Sequence, residues 1–238
     1  LQQGPRGRAT WIMFAVANLP PAEAAGWLDR AEQVIPADKI DEQLLLARMW
    51  SRLAESGHDP TSLQKARAIV KPLIDKPDAA PGTVLLMGMI NEQAGKLQDA
   101  QGDYRRVLKL TPDDITARNN LAMILAKSGG DLNEAVGLVQ YAIQRSDATV
   151  APFLPSLYDT LAFIQGKLKR YADAESSAQT AIKLGPQAVQ YRVTLAQVQL
   201  DGGKSEAAAK TMRDVDDLLR QLEGRQQGLG AQPQSLRQ

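Results

Sequence analysis

The fold of this chain is decided by one stretch, PGTVLLMGMINEQAGKLQDAQGDYRRVLKLTP, at residues 81–112. Its pattern predicts two short helices, at residues 83–94 and 97–110, joined by a turn at Gly95. Gly88 stands in the middle of the first helix, where a glycine costs about 1 kcal/mol relative to alanine. That cost indicates that a neighbouring helix approaches the backbone closely at Gly88.

The residues that follow Gly88 have a characteristic spacing. Ala100 and Tyr104 come 12 and 16 residues after it, and Pro112 comes 24 residues after it. This order of a small residue, an alanine, an aromatic residue and a proline resembles the tetratricopeptide repeat, or TPR. The resemblance implies that the two helices form one repeat.

Small residues recur at the 34-residue period of that family. Ala122 lies 34 residues after Gly88, and Ala162 and Ala196 are again 34 apart. Ala174 and Ala208 each follow the corresponding small residue by 12. The resemblance covers residues 11–222 and implies an all-α, right-handed α-α superhelix, a solenoid of about six TPR-like helix pairs. It implies no particular ligand, because TPRs serve many unrelated functions.

The repeat pattern divides the chain into three segments. We expect a disordered segment at residues 1–9, a TPR solenoid at residues 10–223 and a disordered tail rich in Gln, Gly and Pro at residues 224–238. The predicted helix pairs are residues 10–18 and 22–34, 41–56 and 61–73, 83–94 and 97–110, 114–127 and 131–144, 157–166 and 172–184, and 188–200 and 205–222.

The composition argues against several functional classes. Lys and Arg number 28 against 27 Asp and Glu, so the net charge of +1 offers no field for nucleic acid or an anionic membrane. No apolar run reaches the roughly 18 residues of a membrane span, which predicts no membrane insertion. The absence of cysteine is compatible with either cytoplasm or periplasm. The localisation therefore stays open.

The sequence contains no recognisable constellation for catalysis. His58 is the single histidine and lies in a predicted turn, so it predicts neither a zinc site nor a catalytic triad. The paired acids Asp113 and Asp114 stand where a helix begins, which favours capping over acid–base chemistry. We predict a protein that is not an enzyme, with no metal, no cofactor and no catalytic residue.

The resemblance also implies a binding surface. In the family, the first helix of each pair lines a concave groove, and side chains one residue after or three before the small residue point into it. Further positions on the same helices form a polar rim. The predicted partner-binding residues are Leu85, Met89, Glu92, Asn119, Asn120, Met123, Lys127, Asp159, Phe163, Lys167 and Gln197.

A known TPR subgroup binds C-terminal carboxylates through lysine, asparagine and arginine residues on these helices. Asn120 matches the central asparagine of that set. The next first helix offers Ser156 and Thr160 where basic residues are needed, so the set is incomplete. The runs NNLA at residues 119–122 and YDTLA at residues 158–162 are instead similar to bacterial TPR arrays, some of them in export or exopolysaccharide systems.

Two interpretations of the apolar positions stay open on the sequence alone. These side chains either pack between neighbouring first helices or form a groove for a peptide or partner helix. For the whole chain we predict a non-catalytic scaffold that binds a peptide or partner protein in this groove. The alternative is a structural or regulatory TPR segment of a larger multidomain protein, which self-associates or positions another domain.

Overall fold

The computed structural model describes residues 19–57, 59–145 and 150–230, with side chains described as far as residue 224. These residues form eleven α-helices and one short 3-10 helix, with no strand among them. The helices are α1 Pro21–Val34, α2 Ile40–Gly57, α3 Pro60–Ile74, α4 Pro81–Gln93, α5 Leu97–Leu110, α6 Ile115–Ser128, α7 Leu132–Gln144, α8 Leu154–Lys167, α9 Tyr171–Leu184, α10 Val189–Asp201 and α11 Ser205–Gly230. The predictions for residues 1–18 and for His58 lie outside the described residues.

Consecutive helices pack against each other as pairs. Helix α2 packs on α3, α4 on α5, α8 on α9 and α10 on α11. The predicted all-α fold of helix pairs is confirmed, with most helix ends within two residues of the predicted ones. Periodic apolar positions predict the bounds of helices because each helix buries one face against its partner.

The described residues fall into two compact units, divided between Ala117 and Arg118. In the first unit, Leu28, Leu46 and Trp50 are almost completely buried in a cluster that extends to α4. In the second unit, a smaller cluster around Ala162 and Ala178 joins α8 to α9 and α10. Alanine dominates this second core, which lets the helix backbones approach closely.

Gly88 permits a close approach within the first unit, as its position in the sequence predicts. The ring of Tyr104, on α5, occupies the space into which a Cβ atom at Gly88 would project. Tyr104 is completely buried. The small residue and the aromatic residue of this repeat are therefore direct packing partners.

The turns inside four helix pairs share one backbone conformation. Gly95, Gly129 and Gly203 have φ angles of 71°, 74° and 79°, and Lys169 has a φ of 60° at the same place. In each turn, the next backbone N–H donates to a carbonyl five residues earlier, at 2.8–2.9 Å. The residue in the left-handed conformation and the hydrogen bond that spans five residues together cap the C-terminus of the first helix.

Among the described residues, three pairs also contain a polar bridge between their two helices. Each bridge joins the residue three after the small position of the first helix to a side chain 12 residues later. The bonds are Asn91 Nδ2 to Asp103 Oδ2 at 2.7 Å, Ser177 Oγ to Gln165 Oε1 at 2.8 Å, and Thr211 Oγ1 to Gln199 Oε1 at 2.8 Å. Gln199 and Thr211 are both buried, so their pairing satisfies groups that burial would otherwise penalise.

Helix α8 begins earlier than its predicted start at residue 157. The chain forms a 3-10 helix at Ala151–Phe153 and continues directly into α8 at Leu154. Pro155 lies in the first turn of α8, where its missing N–H removes no intrahelical bond. Proline here starts the helix, whereas the predicted helix boundaries leave Pro155 outside both neighbouring helices.

Helix α11 ends later than predicted. The sequence predicts an end at residue 222 and disorder from residue 224, but the helix continues to Gly230. Arg and Gln at residues 225–227 are good helix formers, and the first proline comes only at Pro233. Glycine lowers the stability of a helix but does not by itself end it, and the prediction from sequence gave the glycines of this segment too much weight.

Candidate functional site

The candidate site is the row of positions that follow the buried small residues of the first helices. On α6, Ala122 is completely buried and Met123 is partly exposed. On α8, Ala162 is completely buried and Phe163 is partly exposed. On α10, Gln197 is exposed next to a buried alanine. Each of these helices thus buries the small residue and leaves the following residue at least partly exposed.

In the first unit, the predicted residues of α4 divide into two kinds. Leu85 and Met89 are partly exposed, and Leu85 packs against the small cluster that contains Val84. Glu92 instead accepts a hydrogen bond of 2.9 Å from the hydroxyl of Tyr104. The carboxylate of Glu92 therefore stabilises its own helix pair in addition to bordering the surface.

In the second unit, three predicted residues share one face of α8. Asp159, Phe163 and Lys167 follow each other at intervals of four residues, which places them one helical turn apart. Lys167 is exposed, and its Nζ lies 5.3 Å from the centre of the Phe163 ring. This distance is within the range of a cation–π interaction. This face of α8 therefore carries an acid, an aromatic ring and a cation in that order, of which the acid is buried and the cation is exposed.

Asp159 is the most unusual side chain of this face. It is only 8% exposed, and its Oδ1 has no hydrogen-bond partner among the described residues. Burial raises the pKa of Asp159, and a hydrogen bond from Thr194 partly offsets that rise. Tyr191 lies close enough that burial, together with the charge of Asp159, raises the pKa of its hydroxyl. The carboxylate thus lies between α8 and α10, and no cation among the described residues lowers its pKa.

The remaining predicted residues lie on the surfaces of α6 and α10. Asn119 holds the position of α6 that corresponds to Asp159, and its Oδ1 is also buried without a hydrogen-bond partner among the described residues. Asn120 is partly buried and Lys127 is exposed. Gln197 donates a hydrogen bond of 2.7 Å to Asp201, one turn further along α10.

Two residues of this region were missed by the sequence reading. Tyr191 and Thr194 form the α10 side of the environment around Asp159. They lie five and two residues before the small residue Ala196, outside the two positions that the repeat pattern selects. Their contact with α8 depends on how first helices of successive pairs pack, which the spacing alone does not define.

The described residues show no group of three or more His, Cys, Asp or Glu side chains that could hold a metal ion. Among the described helices, none combines the length and hydrophobicity that a membrane span requires.

Comparison with known proteins identifies the repeat. A family model described as tetratricopeptide repeat matches residues 85–149 and 164–221, just over half of the chain. A search of curated protein sequences returns no match.

Solved structures share the fold at low sequence identity. The structure titled APC/C hetero-tetramer Cut9-Hcn1 matches with a TM-score of 0.68 and 16% identity, over 90% of this chain and 42% of that chain. A tetratricopeptide repeat protein from Parabacteroides merdae matches with a TM-score of 0.66 and 14% identity, over 89% of this chain and 78% of that chain. MamA from Desulfovibrio magneticus RS-1 matches with a TM-score of 0.56 and 19% identity, over 74% of this chain and 96% of that chain.

These matches confirm the predicted fold class, an all-α solenoid of TPR-like helix pairs. Proteins of this kind are in general scaffolds for protein interactions and are typically not catalysts. The chain belongs to the tetratricopeptide repeat family.

Proposed function

We propose that the exposed row of the first helices binds a peptide or partner protein. In the first unit, the contacts come from Leu85 and Met89 on α4. In the second unit, they come from Met123, Phe163 and Gln197 on α6, α8 and α10. The polar residues that border these anchors orient the bound segment.

One observation carries the proposal: the apolar residues of the row remain partly exposed while their immediate neighbours are buried. Met123 and Phe163 follow completely buried alanines, and each keeps part of its side chain exposed to solvent. This favours a binding surface over the alternative, in which the same side chains only fill the space between first helices. Burying such a side chain from full exposure is worth about 1.5–3 kcal/mol, and a partner gains the fraction that corresponds to the part still exposed. Methionine also adapts its shape to different partners.

The proposal is tested by a pull-down from a lysate of the source organism. The bait is the whole chain, compared with a Met123→Asp, Phe163→Asp double variant. A matched control adds the same two charges at exposed positions of second helices, as Gln140→Asp with Gln179→Asp. Circular dichroism first establishes that all three proteins have the same helix content.

The expected result is a protein that the native chain and the control retain and the double variant loses. Mass spectrometry then identifies that protein, and the purified pair is used to measure affinity directly. Retention of the same proteins by all three baits contradicts the proposal. Self-association of the native chain, lost in the double variant, supports binding by this row with a second copy as the occupant.

A further inference from the structure

We propose that the face of α8 that carries Phe163 contains a subsite for a basic side chain. This side chain is a lysine or arginine of an extended partner segment, and it pairs with Asp159 beside the ring of Phe163. This inference rests on the proposed function, because it names the chemistry that the bound segment carries. It assigns to Asp159 a charge interaction that no described residue of the chain supplies.

The first support is the position of Asp159. Asp159 lies one turn before Phe163 on the same face of α8, and Thr194 and Tyr191 border it from α10. Because Asp159 and the partly exposed Phe163 lie one turn apart on the same face of α8, a segment that packs on the Phe163 ring can reach the carboxylate. The carboxylate therefore lies just below the surface that the proposed function assigns to the partner.

The second support is the unbalanced charge of Asp159. Its Oδ1 is buried without a hydrogen-bond partner among the described residues, and no described cation lowers its pKa. Lys167 stands two turns away, about 12 Å along the helix axis, with its ammonium at the Phe163 ring. A buried acceptor without a partner is unfavourable, and buried charges are normally paired.

The third support is the equivalent position on α6. Asn119 also retains a buried Oδ1 without a hydrogen-bond partner among the described residues. Asn119 and Asp159 each lie three residues before the small residue of their helix. Both side chains offer acceptor oxygens, so both positions favour a partner that brings hydrogen-bond donors.

A basic side chain fits these requirements better than an apolar or acidic one. Its ammonium or guanidinium group supplies both the missing hydrogen bond and the missing charge at Asp159. Its aliphatic part packs on the Phe163 ring. The positive charge of Lys167 keeps a second cation away from the far side of that ring, which places the basic group at the Asp159 end.

The buried position of the carboxylate sets one condition. Asp159 is 8% exposed and its Oδ1 is inaccessible, so the side chain must turn toward the surface as the cation arrives. The other carboxylate oxygen can keep the hydroxyl of Thr194 as its donor during this turn.

The test uses short random peptides displayed on phage, selected on the whole chain. The most enriched peptide is then synthesised with a fluorescent label, and its dissociation constant is measured by anisotropy. We expect enriched peptides to carry a lysine or arginine next to an apolar residue. We also expect Asp159→Asn to weaken binding of the labelled peptide by about tenfold or more.

A double-mutant cycle isolates the pair. The basic residue of the peptide is replaced by methionine, which keeps the length of a lysine side chain and removes its charge. This peptide change should weaken binding to the native chain about as much as the Asp159→Asn substitution weakens binding of the original peptide. On the Asp159→Asn variant, the same peptide change should cause no further loss of affinity. Asp214→Asn, at an exposed position of α11, removes one charge elsewhere and should leave the affinity unchanged.

The outcomes separate this inference from the proposed function. Peptides that need Met123 and Phe163 but bind Asp159→Asn as well as the native chain overturn the inference and leave the proposed function standing. Independent, additive losses in the cycle overturn it equally. If no peptide is enriched on the native chain relative to the Met123→Asp, Phe163→Asp variant, the inference fails, and the pull-down described above decides the proposed function separately.

Discussion

A Cβ atom at Gly88 would lie 2.7 Å from Cε1 of Tyr104 and 2.9 Å from its Cδ1. Carbon atoms without a bond between them do not approach so closely, so the ring would have to move. Tyr104 is completely buried, and its hydroxyl donates to Glu92. We therefore expect Gly88→Ala to reduce the free energy of unfolding by about 1–2 kcal/mol, although alanine is the better helix former. Urea denaturation measures the change.

Gly102→Ala is the matched control for this substitution. Gly102 lies on α5 of the same helix pair, and a Cβ atom there would meet nothing within 4 Å. It should stabilise the protein by about 0.5–1 kcal/mol through helix propensity alone. A Tyr104→Leu background should also remove most of the penalty at Gly88. Equal effects of the two alanine substitutions would show that the close approach is not important for stability.

The prediction of this approach from sequence succeeded because the cause is local. A glycine in the middle of a helix, followed by Ala100 and Tyr104 at fixed intervals, identifies the residues that meet within one pair. The same logic predicts the turn at Gly95. It does not predict Lys169, where the same left-handed conformation occurs in a residue that normally avoids it.

Lys169→Gly should stabilise the protein. Lys169 has a φ of 60°, which is unfavourable for a residue with a Cβ atom, and its side chain is exposed. Glycine holds this conformation in the three corresponding turns. We expect a gain of about 1 kcal/mol, seen as a higher midpoint of urea denaturation. Lys169→Ala, which removes the side chain and keeps the Cβ atom, should give no comparable gain; a similar gain would point to the lysine charge as the cause.

Ala174→Leu should destabilise the protein. Ala174 is completely buried on α9, in an alanine-rich core that has no room for three more carbon atoms. The expected loss is about 1–3 kcal/mol of the free energy of unfolding. Ala172→Leu, two residues earlier and exposed, makes the same chemical change outside the core and should lie within about 0.5 kcal/mol of the native chain. Thermal and urea melts that show no difference between the two variants would contradict the repeat register.

Asp159→Asn should change how stability depends on pH. Burial raises the pKa of Asp159 above 3.8 in the folded protein, so the folded state keeps this proton to a higher pH than the unfolded state does. The resulting contribution to stability is present below pH 3.8 and is lost as the pH rises through the folded pKa. The asparagine variant has no such loss, so its stability relative to the native chain should increase between acid and neutral pH.

Urea denaturation at several pH values measures this difference. The difference between the two proteins can change by at most about 1.4 kcal/mol per pH unit, the limit for a single proton. Asp103, whose pKa is also raised by burial, is present in both proteins and cancels in the comparison. A stability difference that stays constant across the range would show that Asp159 is not desolvated in the folded protein.

The surroundings of Asp159 mark the limit of what the sequence could predict. The repeat register selects Asp159 and Phe163, because side chains four residues apart share a helix face. The contacts of Asp159 with Thr194 and Tyr191 join two helix pairs more than 30 residues apart. Such contacts depend on how successive pairs pack. Glu92 shows the same limit, since its bond to Tyr104 follows from a side-chain conformation and not from spacing.

The polar bridges inside the helix pairs have a consequence for how such a chain can change by duplication or recombination. Alanine-rich faces are nearly smooth, so two helices could slide by a turn with little loss of contact. The buried Gln199 amide meets the Thr211 hydroxyl in one alignment only, and a shifted helix would leave both without a partner. Each of the three pairs carries both halves of its own bridge within one continuous stretch. A whole pair can therefore be copied or moved with its alignment intact, whereas a single helix separated from its partner cannot.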